Sequence, residues 1–281
     1  MKFKFTTKIL FVAVILISVF VFFPTFNITG LDSIFNAVTF IFGVLYGFEI
    51  SIVLGNFTSL KTSLAQLNAQ LRAIYSAIKV VSPEAAEFAG DKIEAYLMKS
   101  IDLDLTDQNK TEKEFTEFME MGSSKLIKDA TLADADAQGV RIQFVYQGFY
   151  DVANTRNQIE QVAPKFIELP EWLMLFSLSI ILIVILFLQR TDLITSITSG
   201  ILATMIIGAL ILLDDIDSND LQEGFLEYEI FNTTLSEIGR KKYYPEFAIN
   251  EGRISHPKNN YRVGVFPNYP DLDKRVVKEV K

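Results

Sequence analysis

Apolar positions along the chain fall into two blocks, Ile9–Gly55 and Trp172–Leu213, with charge-rich sequence between and after them. In the first block, "ILFVAVILISVFVFFPTF" (9–26) and the run 34–55 each come close to the ~20 residues a helix needs to cross a bilayer. The intervening "NITGLDS", with Gly30 and an Asp-Ser pair, reads as a turn. The second block repeats the arrangement: "PEWLMLFSLSIILIVILFLQ" (170–189) and "LITSITSGILATMIIGALILL" (193–213) are joined by Arg190-Thr191-Asp192, a link so short that the two helices must be antiparallel. The pattern predicts a polytopic membrane protein with two transmembrane hairpins. The first run follows Lys2, Lys4 and Lys8, as a signal peptide would. It is longer than a ~7–15-residue signal core, no small-x-small cleavage site follows, and a second span begins at once, so it reads as an anchor.

Between the blocks the period is helical. Leu60, Leu64, Leu67, Leu71, Ile74 and Ile78 alternate spacings of four and three, a heptad seam running straight out of the second span. No proline interrupts it, so span and seam form one helix from Ile34, roughly 70 Å long. The stripe packs either on helices of its own chain or on a second copy, as a coiled coil would. Ser82-Pro83-Glu84 reads as N-cap, first turn and acidic start of a helix to about Ile101. "DLDLTDQNKTEKE" is a loop or helix start, and helical stretches follow at 115–130 and 132–162. No strand pattern competes up to Leu213, and the fold class expected is all-α, with a helical cytoplasmic middle region. The segments are 1–55, first hairpin; 56–169, helical region; 170–213, second hairpin; and 214–281, an acidic juxtamembrane segment and a basic extended tail.

Composition agrees with a chain part in lipid and part in water: half of the 281 residues are hydrophobic, and the mean hydropathy is +0.28. A net charge of −8 argues against nucleic acid as a partner, because phosphate binding needs a basic face. With no cysteine, disulfides, thiolate metal sites and cysteine catalysis are excluded. Lysine and arginine flank the N-terminal tail, Lys61 and Arg72, Arg156 and Lys165, and the distal tail, whereas Arg190 stands alone on the opposite side. The positive-inside rule then puts both termini and the middle region in the cytoplasm. Asn27-Ile28-Thr29 is the one acceptor-like sequon that would face out.

Two ridges of small residues recur every fourth position, Gly43, Gly47, Ser51 and Gly55 in the second span and Ser196, Gly200, Thr204 and Gly208 in the fourth. Such ridges let helix backbones approach closely in lipid, so both spans are expected to pack through them, within or between subunits. Glu49 stands two residues from Gly47 and from Ser51, about 200° around the helix from each, and so points away from the ridge. A carboxylate there faces a wet cavity, meets a cation such as Lys8 or Lys61, or stays protonated. It serves either as a group reaching the headgroups from about two turns inside the membrane or as a charge in a pore or vestibule.

Asp214, Asp215, Asp217, Asp220 and Glu223 follow the last span. Oxygen ligands at this density suit a divalent cation such as calcium, with a solvated acidic collar as the alternative. Asp215, Asp217, Asn219 and Glu223 fall at calcium-loop spacings, but Asp220 replaces the required glycine and Leu226 the closing glutamate, so an EF-hand is excluded. The basic tail is suited to that collar or to anionic headgroups. The one histidine, His256, lies in the tail beside Pro257; neither a phosphate loop nor a zinc motif occurs, and no enzyme is expected.

The order of these features, from "GVLYGFEISIVLG" and "SLAQLNAQLRAIYSAI" through "TRNQIEQVAPKFIELPEWLMLF" and a tight hairpin to "LLDDIDSNDLQEGF", resembles the bestrophin-like family of four-span membrane proteins over about Ile34–Phe225. That family is similar in layout to the bestrophins, oligomeric calcium-gated anion channels with an acidic calcium clasp after the last span. The resemblance implies a homo-oligomeric ion channel. The sign of the ion stays open, because a ring of Glu49 carboxylates would favour cations. The alternative is a non-conducting membrane scaffold or signalling anchor that assembles through the leucine helix: the second span offers Asn36, Thr39, Tyr46 and Glu49 but no uninterrupted polar stripe.

Overall fold

The computed structural model describes the chain except at residues 1, 26–27, 29, 104–107, 121–134, 164–166, 218–227, 251, 255–259, 270–271, 273 and 281; at 2–8, 108, 135–138 and 140–141 it describes the backbone alone. The protein is mostly helical: α1 (Lys2–Phe22), α2 (Asp32–Val81), α3 (Pro83–Asp102), a 3-10 turn (Gln108–Thr111), α4 (112–120), α5 (Ala135–Val162), α6 (Leu169–Leu188), α7 (Leu193–Asp217), α8 (Tyr228–Glu237) and α9 (Glu246–Asn250). Three strands, β1 (Lys242–Pro245), β2 (Tyr261–Val265) and β3 (Val276–Val280), complete it. The contacts divide the chain into two compact units, residues 1–57 with 165–222 and residues 58–164 with 223–281.

The first unit is the apolar one. α2, α6 and α7 are long and apolar enough to cross a membrane, and α1 contributes a shorter apolar stretch, Ile9–Phe22. Leu175, Leu182, Leu210 and Leu213 pack with Phe42 and Val53 of α2 in one cluster. Phe20 of α1 packs with Leu186 and Ala203 in another. Each helix end has a local reason. Pro170 enters the first turn of α6, and Glu168 and Glu171 form a reciprocal capping box there. Asp192 accepts from Thr195 N at 2.8 Å to start α7. Arg190, fully buried in the link between α6 and α7, donates to the carbonyls of Phe187, Phe20 and Pro24. The Phe187 ring centre lies 3.7 Å from its guanidinium. The lone basic residue of this link thus satisfies the orphan carbonyls that end α1.

The second unit buries the heptad seam in its own chain. All six seam residues are at most 1% exposed, packed with Ile93, Leu97 and Ile101 of α3, Val145, Phe149 and Val152 of α5, and Phe231 and Leu235 of α8. Gly148 of α5 admits the Ile74 side chain, which a β-carbon there would meet at 2.6 Å. A coiled coil with a second copy therefore does not use these positions. Ser82 caps α3 as its sequence predicts, accepting from Ala85 N at 3.2 Å. Asn68, buried within the seam, donates to Leu64 O at 2.9 Å and accepts from Thr234 of α8 at 2.8 Å, a satisfied polar pair that fixes how α8 docks.

The tail corrects the all-α and extended-tail expectations. α8 closes the helical core, and the three strands form one sheet in the order β1-β2-β3, with β1 parallel and β3 antiparallel to β2. Several of its cations are engaged within the unit: Arg240 with Glu87, Asp91 and Glu94, Lys241 with Glu279, and Lys242 with Glu229. A collar or headgroup partner is not required to neutralise them. The Asn27 sequon and His256 lie outside the described residues.

Candidate functional site

The membrane unit holds the residues that the sequence singles out, and the structure sorts them by face. On α7 the small ridge is filled. Ser196, Gly200 and Thr204 are buried, and a β-carbon on Gly200 would stand 3.2 Å from Ile17 Cα and 3.3 Å from its Cγ1. One on Gly208 would meet Ile9 Cδ1 at 3.7 Å. The ridge of the last span thus seats α1. On α2 the ridge is open: among the described residues, Gly43, Gly47 and Gly55 have nothing within 4 Å of a β-carbon position, and Ser51 is exposed on the same face as Phe40, Val44 and Phe48.

Glu49 lies on the opposite side of α2, as its 200° offset requires. It is 7% exposed, in register with Phe42, Tyr46 and Val53, which face the α6 and α7 side chains. Tyr46 donates to Ala209 O of α7 at 3.2 Å along the same face. Among the described residues, the charges acting on Glu49 are the carboxylates of Glu171 and Asp217. The Lys8 side chain lies outside the described residues, and Lys61 belongs to the second unit. The structure therefore brings Glu49 and Asp217 near one another, a pairing invisible at 168 positions of sequence separation, with Glu171 as the member that the sequence reading missed. The signal available for Glu171 was its place in the capping box before the third span.

The acidic run does not leave the membrane helix as a loop. α7 continues one turn past Leu213, so Asp214, Asp215 and Asp217 are helical; Asp214 is exposed, whereas Asp215 and Asp217 are buried. Asp217 accepts from Ile167 N at 3.3 Å and so holds the segment leading into α6. Among the described residues no three histidine or acidic side chains are placed to hold a metal ion. Asp220 and Glu223 lie outside the described residues. The described carboxylates do not fit a calcium clasp by themselves.

Residues 9–214 match the family of the bestrophin-like domain. The chain belongs to the bestrophin-like family. Solved structures agree on the fold. A mutant of a bacterial bestrophin homolog from Klebsiella pneumoniae superposes with a TM-score of 0.61 at 12% identity, over 85% of this chain and 98% of that one. The same homolog solved by Zn-SAD phasing gives 0.60 at 13% identity with the same coverage. A further mutant, described as a membrane protein, gives 0.62 at 12% identity, over 84% of this chain and 99% of that one. No curated protein matches the sequence. With its apolar helices and bestrophin-like fold, the chain is an integral membrane protein.

Proposed function

We propose that this bestrophin-like protein is a homo-oligomeric ion channel, crossing the bilayer four times as two hairpins, with both termini and the water-facing unit in the cytoplasm. The observation that carries the reading is the bestrophin-like fold, shared over nearly the whole length of the solved relatives. It is supported by the open ridge of α2, which is apolar and small where close helix contacts form in lipid and is not covered by the described residues of its own chain. Ion sign is left to measurement. The distribution of lysine and arginine supports the orientation.

The test is purified oligomer in liposomes, with chloride and potassium flux measured with and without calcium. Flux of either ion is expected. Folded oligomer that passes neither supports the scaffold reading, which the lack of an uninterrupted polar stripe through Asn36, Thr39, Tyr46 and Glu49 favours. Orientation is tested in the cysteine-free background: Ser33→Cys or Thr191→Cys is expected to label from outside and, because Ser63 is buried, Thr62→Cys beside it only after permeabilisation. Outside labelling at position 62 reverses the assignment.

A further inference from the structure

Two sets of contacts tie the C-terminal sheet to α3. One is an ion-pair ladder, in which Arg240 meets Glu87 at 2.8 Å, Asp91 at 2.6 Å and Glu94 at 3.3 Å, and Arg262 also reaches Glu94. Glu87 and Asp91 are well exposed, so salt screens much of this set. The other is a single buried group. Asp102, the last residue of α3, is 3% exposed. One of its oxygens accepts from the Tyr243 hydroxyl at 2.5 Å and the other from Arg275 Nη1 at 2.6 Å. Tyr243 belongs to β1 and Arg275 immediately precedes β3, so the two outer strands converge on one carboxylate. Tyr243 gets there across β2 at Gly264, where any β-carbon would fall on the phenol oxygen.

We propose that the C-terminal sheet is a proton-responsive latch on α3, with Asp102 as the group whose protonation sets how tightly the sheet is held. Three described groups act on this carboxyl: Arg275, Tyr243 and, from its own helix, Lys99. Burial outweighs their combined pull and holds Asp102 at about 6, well above the ordinary carboxylate range. Burial, together with the charge of Asp102, pushes the Tyr243 phenol up, so it remains a donor throughout. A carboxyl released into water returns to near 3.9. The docked sheet thus binds the proton more tightly than the released sheet does. By linkage, docking strengthens as pH falls through about 6 and weakens as pH rises through it, by roughly a hundredfold for two pKa units. The single histidine of the chain leaves few other groups to titrate in this window.

Hydrogen exchange of the full-length protein in nanodiscs tests the latch, with rates at the 276–280 amides corrected for the intrinsic pH dependence. Protection of β3 is expected to start rising near pH 6 and to stand roughly 25-fold higher at pH 4.5 than at pH 8, approaching a hundredfold only below about pH 4. Asp102→Asn, which keeps the shape and loses the titration, is expected to flatten the profile. Flat or falling protection towards acid in the wild type overturns the proposal, as does an unchanged profile in Asp102→Asn. Should that variant leave β3 unprotected at every pH, Arg275→Gln decides. Loss of the cation must move the onset of the rise to higher pH, and an unmoved onset overturns the latch.

Discussion

The two ridges of small residues are nearly the same in sequence and opposite in structure. On α7, Gly200 presses against the backbone of Ile17; on α2, Gly47 faces nothing among the described residues of its own chain. A small-xxx-small pattern states that a close neighbour fits there, not which chain supplies it. α7 has its neighbour in α1, so its ridge belongs to the folding of one subunit. The α2 ridge is left for whatever meets the subunit from outside, and the channel reading assigns it to a second copy.

Leucine substitutions break or sharpen this contrast, and the largest effect is expected at the filled ridge. Gly200→Leu places four extra carbons where 3.2 Å already separates a β-carbon position from backbone. Because backbone cannot rotate away as a side chain can, the cost reaches or exceeds the ~1–3 kcal/mol usual for overpacking. Loss of monodisperse protein, or a Tm lower by roughly 5 °C or more, is expected in detergent. Gly47→Leu is expected to leave the Tm of the dissociated subunit unchanged and to reduce oligomer mass by light scattering. If Gly200→Leu retains wild-type yield and Tm, α1 does not depend on that ridge. If Gly47→Leu retains full oligomer mass, the open face is not an assembly surface.

What the sequence made legible follows the same division. The heptad seam, the Ser82 cap and the apolar helices were readable because each is a local periodicity or a local hydrogen bond. The burial of Leu60 to Ile78 in their own unit was not, since a seam looks alike whether its partner is α3, α5 and α8 or another copy. The C-terminal sheet escaped because its strands are four or five residues long, and β3, "VVKEV", is exposed at four of five positions and lacks a buried face to set an alternation. Its framework comes from distant pairings, Tyr243 and Arg275 with Asp102, which no spacing reveals. At the acidic run, hydropathy marks the end of the span but not the end of the helix. Asp215 and Asp217 are carried into the interior by one further turn of α7.

The smallest expected effect tests the far side of α2. Glu49 shares the face of Phe42 and Val53, turned from the open ridge, and the charges that act on it are both carboxylates. Glu49→Gln keeps the volume, removes one carboxyl from this face and leaves both ridges untouched. If the open face and the Glu49 face are as distinct as the subunit structure has them, oligomer mass and the chloride-to-potassium permeability ratio stay at wild-type values. The relief of like-charge repulsion then shows only as a small gain, on the order of 1 kcal/mol or less, or ~2–4 °C in Tm. A changed permeability ratio at unchanged Tm would instead mean that ions sense Glu49 directly. In that case the conduit runs along the face of α2 that carries Phe42, Tyr46 and Val53, and the glycine face is turned to lipid or to a neighbour.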